Sequence, residues 1–273
     1  NFYVSGTDGI GDQYHGDGGT DRVYLLADTY FNLTNAFSSL NSIETGGFNI
    51  IADIGTGFDL TGQTLNGGGE LLGQGGNETI TGSNSADIIR GGAGIDTLNG
   101  GNGNDTIYGD DGDDIINGGG NNDRIYGGAG ADIMDGGNGN DDFFVSGTDA
   151  LGDQFTGGAN TDEIFLLSDV YFNLANSFTT MEDIESGGFT IYADIGTGFD
   201  LTGMTITGGS DLRGQGGNEN ITGSNSVDII QGFAGNDTIN GGANNDDIYG
   251  GSGADTLNGC LLYTSPSPRD QLQ

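Results

Sequence analysis

The sequence predicts an all-β fold, a parallel solenoid of short stacked strands, and three observations carry that expectation. Internal repeats run at two nested periods, apolar residues keep phase with the shorter one, and no stretch has helical periodicity. The long period is 141 residues: ADIGTGFDLTG stands at 52–62 and again at 193–203, and ITGSNS at 80–85 and again at 221–226. Two tandem copies of one unit are therefore expected.

The short period is nine. From Gly73 eight units follow without a break, GQGGNETIT, GSNSADIIR, GGAGIDTLN, GGNGNDTIY, GDDGDDIIN, GGGNNDRIY, GGAGADIMD and GGNGNDDFF, and five more run from Gly214 to Asn258. The first two units of each block depart from the rest, with Glu or displaced glycines. The others follow G-G-x-G-x-D-x-U-x, where U is a large apolar residue. The x-U-x part suffices for a very short strand, with U on one face and its neighbours on the other. The six residues before it must turn the chain. Glycine at the first, second and fourth places permits positive φ and close backbone approach. Asn121 and Asn244, where the fourth glycine is missing, are the next most tolerant residue type. Two units make an 18-residue turn, so units i and i+2 stack about 4.8 Å apart. That points Ile89, Leu98, Ile107, Ile116, Ile125, Met134 and Phe143 inward.

The register extends beyond the blocks. GDGGTDRVY (16–24) and GGANTDEIF (157–165) keep Asp at the sixth place and Val or Ile at the eighth, and the units before them carry Asp12 with Tyr14 and Asp153 with Phe155. Residues 25–72 and 166–213 depart from it. Their short alternating apolar runs, FNIIADI (48–54) and FTIYADI (189–195), predict strand and turn. GTGFD (55–59 and 196–200) puts Phe58 and Leu60 one place out of phase, which predicts a solenoid turn and no ion site there. The expected division is a divergent segment 1–72, a repeat block 73–144, a second divergent segment 145–213, a second block 214–259, and a tail 260–273. The tail breaks every pattern and holds the only Cys, Cys260, and the only prolines, Pro266 and Pro268. Cys260 to Asp270 resembles a translated sequencing adapter, so Gly259 is taken as the last native residue. Asn1 aligns with Asp142, the seventh place of a unit, so a further repeat is expected upstream.

Composition narrows the partners. Forty Asp and Glu face five Lys plus Arg, for a formal net charge of -35, and 58 of 273 residues are Gly. Such a chain usually stays disordered, but here the glycines and the apolar residues hold a common period. Nucleic acid and anionic membrane are excluded as partners by charge, and no apolar run reaches the roughly 18 residues of a membrane helix. Stacking places Asp on Asp, and a column of like charges is destabilising; a cation between the carboxylates reverses the sign. Carboxylate and carbonyl oxygens without His or Cys suit Ca²⁺ better than zinc or copper, with Mg²⁺ the weaker candidate.

These tandem units resemble the repeats-in-toxin (RTX) family, hemolysin-type proteins with a calcium-binding nonapeptide repeat. The resemblance implies a parallel β-roll in which each ion lies between units i and i+2, held by the Asp side chains and by carbonyls of the second and fourth residues. Carried over, the ligand set is Gly92, Gly94 and Asp96; Gly101, Gly103 and Asp105; Asp110, Gly112 and Asp114; Gly119, Asn121 and Asp123; Gly128, Gly130 and Asp132; and Gly137, Gly139 and Asp141. In the second block it is Phe233, Gly235 and Asp237; Gly242, Asn244 and Asp246; and Gly251, Gly253 and Asp255. The stacked pairs are Asp96 with Asp114, Asp105 with Asp123, Asp114 with Asp132, Asp123 with Asp141, and Asp237 with Asp255, about five strong Ca²⁺ sites. Asp87, Asp228, Glu78 and Glu219 lie in units that depart from the pattern and are not counted.

No enzyme is expected within these residues: there is no HExxH, no G-x-S-x-G and no native cysteine, and the single His15 is matched by Thr156 in the second copy. The resemblance implies Ca²⁺-dependent folding in a bacterial protein secreted by a type I, one-step system. The alternatives are the repeat region of a large adhesin or surface-layer protein, or the non-catalytic C-terminal part of a secreted protease, lipase or epimerase. The duplication favours the adhesin. A monomeric fragment is expected.

Overall fold

The computed structural model describes residues 1–7, 11–15, 20–32, 36–38, 40, 42–209 and 211–259, so the tail 260–273 lies outside the described residues. Among these there is no α-helix, none long and apolar enough to cross a membrane, and the paired strands run parallel. Two compact units form, Asn1–Asp142 with Gly158–Asn160, and Phe143–Gly157 with Thr161–Gln273.

In the first unit the nonapeptides alternate between two facing sheets. Ile88–Ala93, Thr106–Asp111 and Arg124–Ala129 form one wall; Thr79–Thr81, Thr97–Asn102, Ile115–Gly120 and Ile133–Asn138 form the other. Register follows the repeat, with Ile89 on Ile107 on Ile125 and Leu98 on Ile116 on Met134. These U residues fill the thin space between the walls and are almost wholly buried. Alternation explains it: the residues either side of U face outward, where Thr97, Ile115 and Ile133 are exposed. The strands of this block are longer than x-U-x. Each of those from Ile88–Ala93 to Ile133–Asn138 has six residues, because pairing continues through the glycines, as in Gly101 with Gly119 and Asn102 with Gly120. In the second unit the strands of the block keep three residues, for example Thr238–Asn240 paired with Thr256–Asn258.

The divergent segments continue the stack with wider turns. Val23 pairs with Ile43, Ile43 with Leu65, Ile50 with Leu71, and Phe58 with Ile80, so partners stand 20 to 22 residues apart before Leu71 on Ile89 restores 18. The second unit repeats this with Ile164 on Ile184, Ile191 on Leu212 and Phe199 on Ile221. The extra residues explain why GTGFD is out of phase. Gly57–Asp59 is itself a strand, its Phe58 sits in the U column, and Leu60 is buried beside it. The turn ahead of it is closed by a 3.0 Å bond from the Thr56 N–H to the Asp53 carbonyl. Gly57 must be glycine, with φ of 102° and no room for a Cβ beside the Thr79 carbonyl.

Candidate metal centre

The sixth-place aspartates are core residues. Asp96, Asp105, Asp114, Asp123, Asp132 and Asp141 are at most 1% exposed, Asp237 is equally buried, and Asp246 is 8% exposed. Only Asp255, in the last unit, is half-buried. Asp stands two residues before U, so in extended backbone its side chain points to the same inner face, and the next turn covers it.

The carboxylates of Asp96, Asp105, Asp114, Asp123, Asp237 and Asp246 are half satisfied. One oxygen, Oδ1, accepts the backbone N–H of the sixth residue one turn earlier: Asp96 N–H donates to Asp114 at 2.7 Å, Asp105 to Asp123, Asp114 to Asp132 and Asp123 to Asp141 at 2.8 Å each, and Asp237 to Asp255 at 3.1 Å. Those are the five pairs that the repeat predicts. The same link joins Glu78 to Asp96, Asp87 to Asp105, Glu219 to Asp237 and Asp228 to Asp246. The second oxygen, Oδ2, of Asp96, Asp105, Asp114, Asp123, Asp237 and Asp246 is buried without a hydrogen-bond partner. A buried polar atom left unpaired is costly, about 1–3 kcal/mol and more when charged. Desolvation accordingly pushes Asp105 and Asp114 up to about 7, Asp123 to about 8 and Asp237 to about 6, with neighbouring carboxylates adding to the rise. Asp96 and Asp246 shift upward for the same first reason.

The glycines shape what surrounds these oxygens. A Cβ on Gly91 would stand 2.5 Å from Asp96 Oδ2 and 2.7 Å from the Gly109 carbonyl oxygen, so the first place must be empty of side chain. It does not need positive φ: Gly91, Gly100 and Gly109 lack it, which corrects the expectation for that place. The second and fourth places do have it, throughout the predicted ligand set. Where glycine is absent, Asp110 and Phe233 (φ 72°) hold the second place, and Asn121 (φ 76°) and Asn244 (φ 72°) the fourth. In this conformation the second and fourth carbonyls point at the equivalent residue one turn on, where a Cβ on Gly119 would overlap the Gly101 oxygen and one on Gly112 the Gly94 oxygen. We expect Gly112→Ala to abolish cooperative folding of the first block by circular dichroism. Gly120→Ala should be near neutral, since its Cβ would meet nothing closer than 3.4 Å.

The donor set that the repeat predicts would be all oxygen: carboxylates from two successive turns, with two carbonyls per turn. Among the described residues no three His, Cys, Asp or Glu converge, so a cation here relies on carbonyls as much as on carboxylates. Six to eight oxygens in adaptable geometry is what Ca²⁺ takes, and the unpartnered Oδ2 atoms are the positions that ask for a positive charge.

Two rungs differ. Ser83, at the second place of its unit, donates its N–H to Asp87 Oδ2 at 2.7 Å and its hydroxyl to Oδ1 at 3.2 Å, and Ser224 does the same to Asp228 at 2.8 and 3.0 Å. There the serine supplies the donors that other rungs lack. Asp153 and Asp162, outside the predicted set, are also buried in the second unit. GGANTDEIF keeps the sixth-place Asp162, and Asp153 holds the sixth place of the nine residues before it, as the extended register has it.

The family model of the RTX calcium-binding nonapeptide repeat (4 copies) matches residues 72–107, 90–124, 108–143, 213–248 and 234–259. No curated protein matches the chain.

Proposed function

Because both blocks are RTX calcium-binding nonapeptide repeats on a parallel β-roll, we propose that this chain is a region that folds as it binds calcium, in a bacterial protein exported by a one-step, type I system and working outside the cell. The observation that carries the reading is the row of buried Oδ2 atoms without hydrogen-bond partners. Asp96 with Asp114, Asp105 with Asp123, Asp114 with Asp132, Asp123 with Asp141, and Asp237 with Asp255 would hold the ions, together with carbonyls of the second and fourth places. Calcium, when bound, supplies the charge that turns each carboxylate pair from repulsive to attractive. The chain's own part is to present those oxygens only when stacked: the unfolded chain has no site, so binding free energy is folding free energy. Ion-binding modules of the extracellular class have dissociation constants of roughly 10⁻⁴–10⁻³ M. The blocks would stay open where free Ca²⁺ is scarce and close outside. The repeats serve as an ion-binding structural region, and no catalytic step is assigned to them.

A large adhesin or surface-layer protein is the favoured parent, since the divergent segment and the first five units of the repeat block, including an identical ADIGTGFDLTG, occur twice. The test is far-UV circular dichroism of the full chain during a Ca²⁺ titration at about pH 8, with Mg²⁺ as control. A weak β signal in chelator that rises cooperatively with Ca²⁺ and not with equal Mg²⁺ is expected. A β signal already complete in chelator would overturn the coupling of folding to binding.

A further inference from the structure

We propose that one ion column of each block begins a rung before the aspartates, at a glutamate, with calcium held between Glu78 and Asp96 in the first unit and between Glu219 and Asp237 in the second. The proposal rests on the calcium reading above and adds to it a site of different chemistry, one that draws on the divergent segment.

Glu78 and Glu219 are each 1% exposed, unusual for glutamate. Their backbone N–H groups donate to Asp96 Oδ1 at 2.7 Å and Asp237 Oδ1 at 3.0 Å, the link that joins every regular pair. One side-chain oxygen turns away from the column. Glu78 Oε1 accepts the Gly55 N–H at 2.5 Å and Glu219 Oε1 the Gly196 N–H at 2.8 Å, both in the DIGTG turn of the preceding divergent segment. The other oxygen, Oε2, is buried with no hydrogen-bond partner in both copies, as is Oδ2 of the Asp above it.

The extra methylene makes this arrangement possible. An aspartate that kept one oxygen in the column would be too short to reach the DIGTG turn; glutamate does both. In the second unit a Cβ on Gly214 would stand 3.2 Å from Glu219 Oε2 and 2.6 Å from the Gly232 carbonyl. That is the cradle Gly91 leaves for Asp96 Oδ2 and the Gly109 carbonyl. Had the glutamate only to cap the turn, a neutral glutamine would serve without leaving a carboxylate oxygen buried and unpaired. The serine rungs are the contrast: at Asp87 and Asp228 both oxygens are paired inside the loop, whereas the glutamate rungs leave one open towards the next turn. Calcium at this site would fasten the DIGTG turn of 53–57, and its copy at 194–198, to the first rung of each block.

The test uses the full chain and Ca²⁺ alone, with bound ions counted by equilibrium dialysis at saturation. Glu78→Gln combined with Glu219→Gln keeps an acceptor for the glycine N–H groups and removes the charge. It is expected to lose one ion per substituted glutamate while the remaining ions bind with unchanged midpoint, and Glu78→Asp should fail to restore the ion. An unchanged ion count in the glutamine variant would overturn the proposal and leave the aspartate columns standing. A wild-type chain that binds no Ca²⁺ would overturn both. If the variant does not fold, isotope-edited infrared spectra of wild-type chain labelled with ¹³C at glutamate carboxylates decide. Ca²⁺-coordinated glutamate bands support the site, and their absence in the folded, Ca²⁺-loaded chain refutes it.

Discussion

Asp114→Ala is expected to raise the Ca²⁺ midpoint for folding about tenfold or more, while Asp59→Ala leaves it within about twofold. Asp114 belongs to two stacked pairs: its Oδ1 accepts the Asp96 N–H, and its own N–H donates to Asp132 Oδ1. Losing the side chain strands the Asp96 donor, at about 1–3 kcal/mol, and withdraws a carboxylate from two neighbouring sites. Each 1.4 kcal/mol is a factor of ten in an equilibrium constant, which sets the floor of the expected shift. Asp59 is also an aspartate of the same unit, but it is exposed and its Oδ1 accepts the N–H of Thr61 in a local turn. Asp114→Asn separates charge from hydrogen bonding, since the amide oxygen still accepts from Asp96 N–H; a midpoint raised by Asn as well assigns the effect to charge. Equal shifts for Asp114 and Asp59 variants would rule out the register of the sites.

In chelator, acidification from about pH 8.5 to about pH 5.5 is expected to stabilise the metal-free roll, against the usual effect of acid on carboxylate-rich proteins. The sign follows from the direction of the shifts. Asp105 and Asp114 titrate at about 7, Asp123 at about 8 and Asp237 at about 6 in the fold, all raised mainly by desolvation, whereas an unfolded aspartate titrates near 3.9. A group whose pKa is raised by folding contributes stability that is full below its unfolded pKa and lost as pH climbs through the folded value. For this set the loss begins near pH 4 and is complete by about pH 8. Ion binding must displace those protons, so the Ca²⁺ midpoint should fall by on the order of tenfold or more from pH 6 to 8.5. Circular dichroism in chelator and Ca²⁺ titrations at the two pH values check both. A roll that melts on acidification, or a midpoint indifferent to pH, would mean that the carboxylates are not desolvated as the fold shows.

Much of this was legible in the letters because one residue in nine must be apolar and inward. The U column, from Ile89 to Phe143, and the 18-residue stacking of the aspartates follow from period and strand alternation alone. Strand length was not legible, since Gly101 and Asn102 pair as β only because Gly119 and Gly120 lie a turn away, and nothing local marks them as strand. Nor was the phase of GTGFD: the added residues of a wider turn slide Phe58 into the U column while breaking the nine-residue count. The reach of Glu78 to Gly55, 23 residues away in sequence, is likewise a tertiary fact. The φ requirement was misplaced at the first glycine, where the demand is space for a carboxylate, and sequence does not distinguish the two needs.

The hydrogen bond that joins successive rungs has a direction. These links run from the backbone of one turn to the carboxylate of the turn that follows it, from Glu78 N–H to Asp96 through Asp123 N–H to Asp141, and from Glu219 N–H to Asp237 to Asp255. The stack is thus a ratchet with unlike ends: a rung is finished by its C-terminal neighbour. Trimming a block from its C-terminus takes the carboxylate acceptor from an N–H of the turn that remains, whereas trimming from the N-terminus takes the donor from a carboxylate; backbone bonds such as Thr97 N–H to the Glu78 carbonyl are lost at either cut. For a chain whose turns gain stability from their nearest neighbours, the two ends of such a stack are thus chemically unlike: one exposes a backbone donor, the other a carboxylate oxygen.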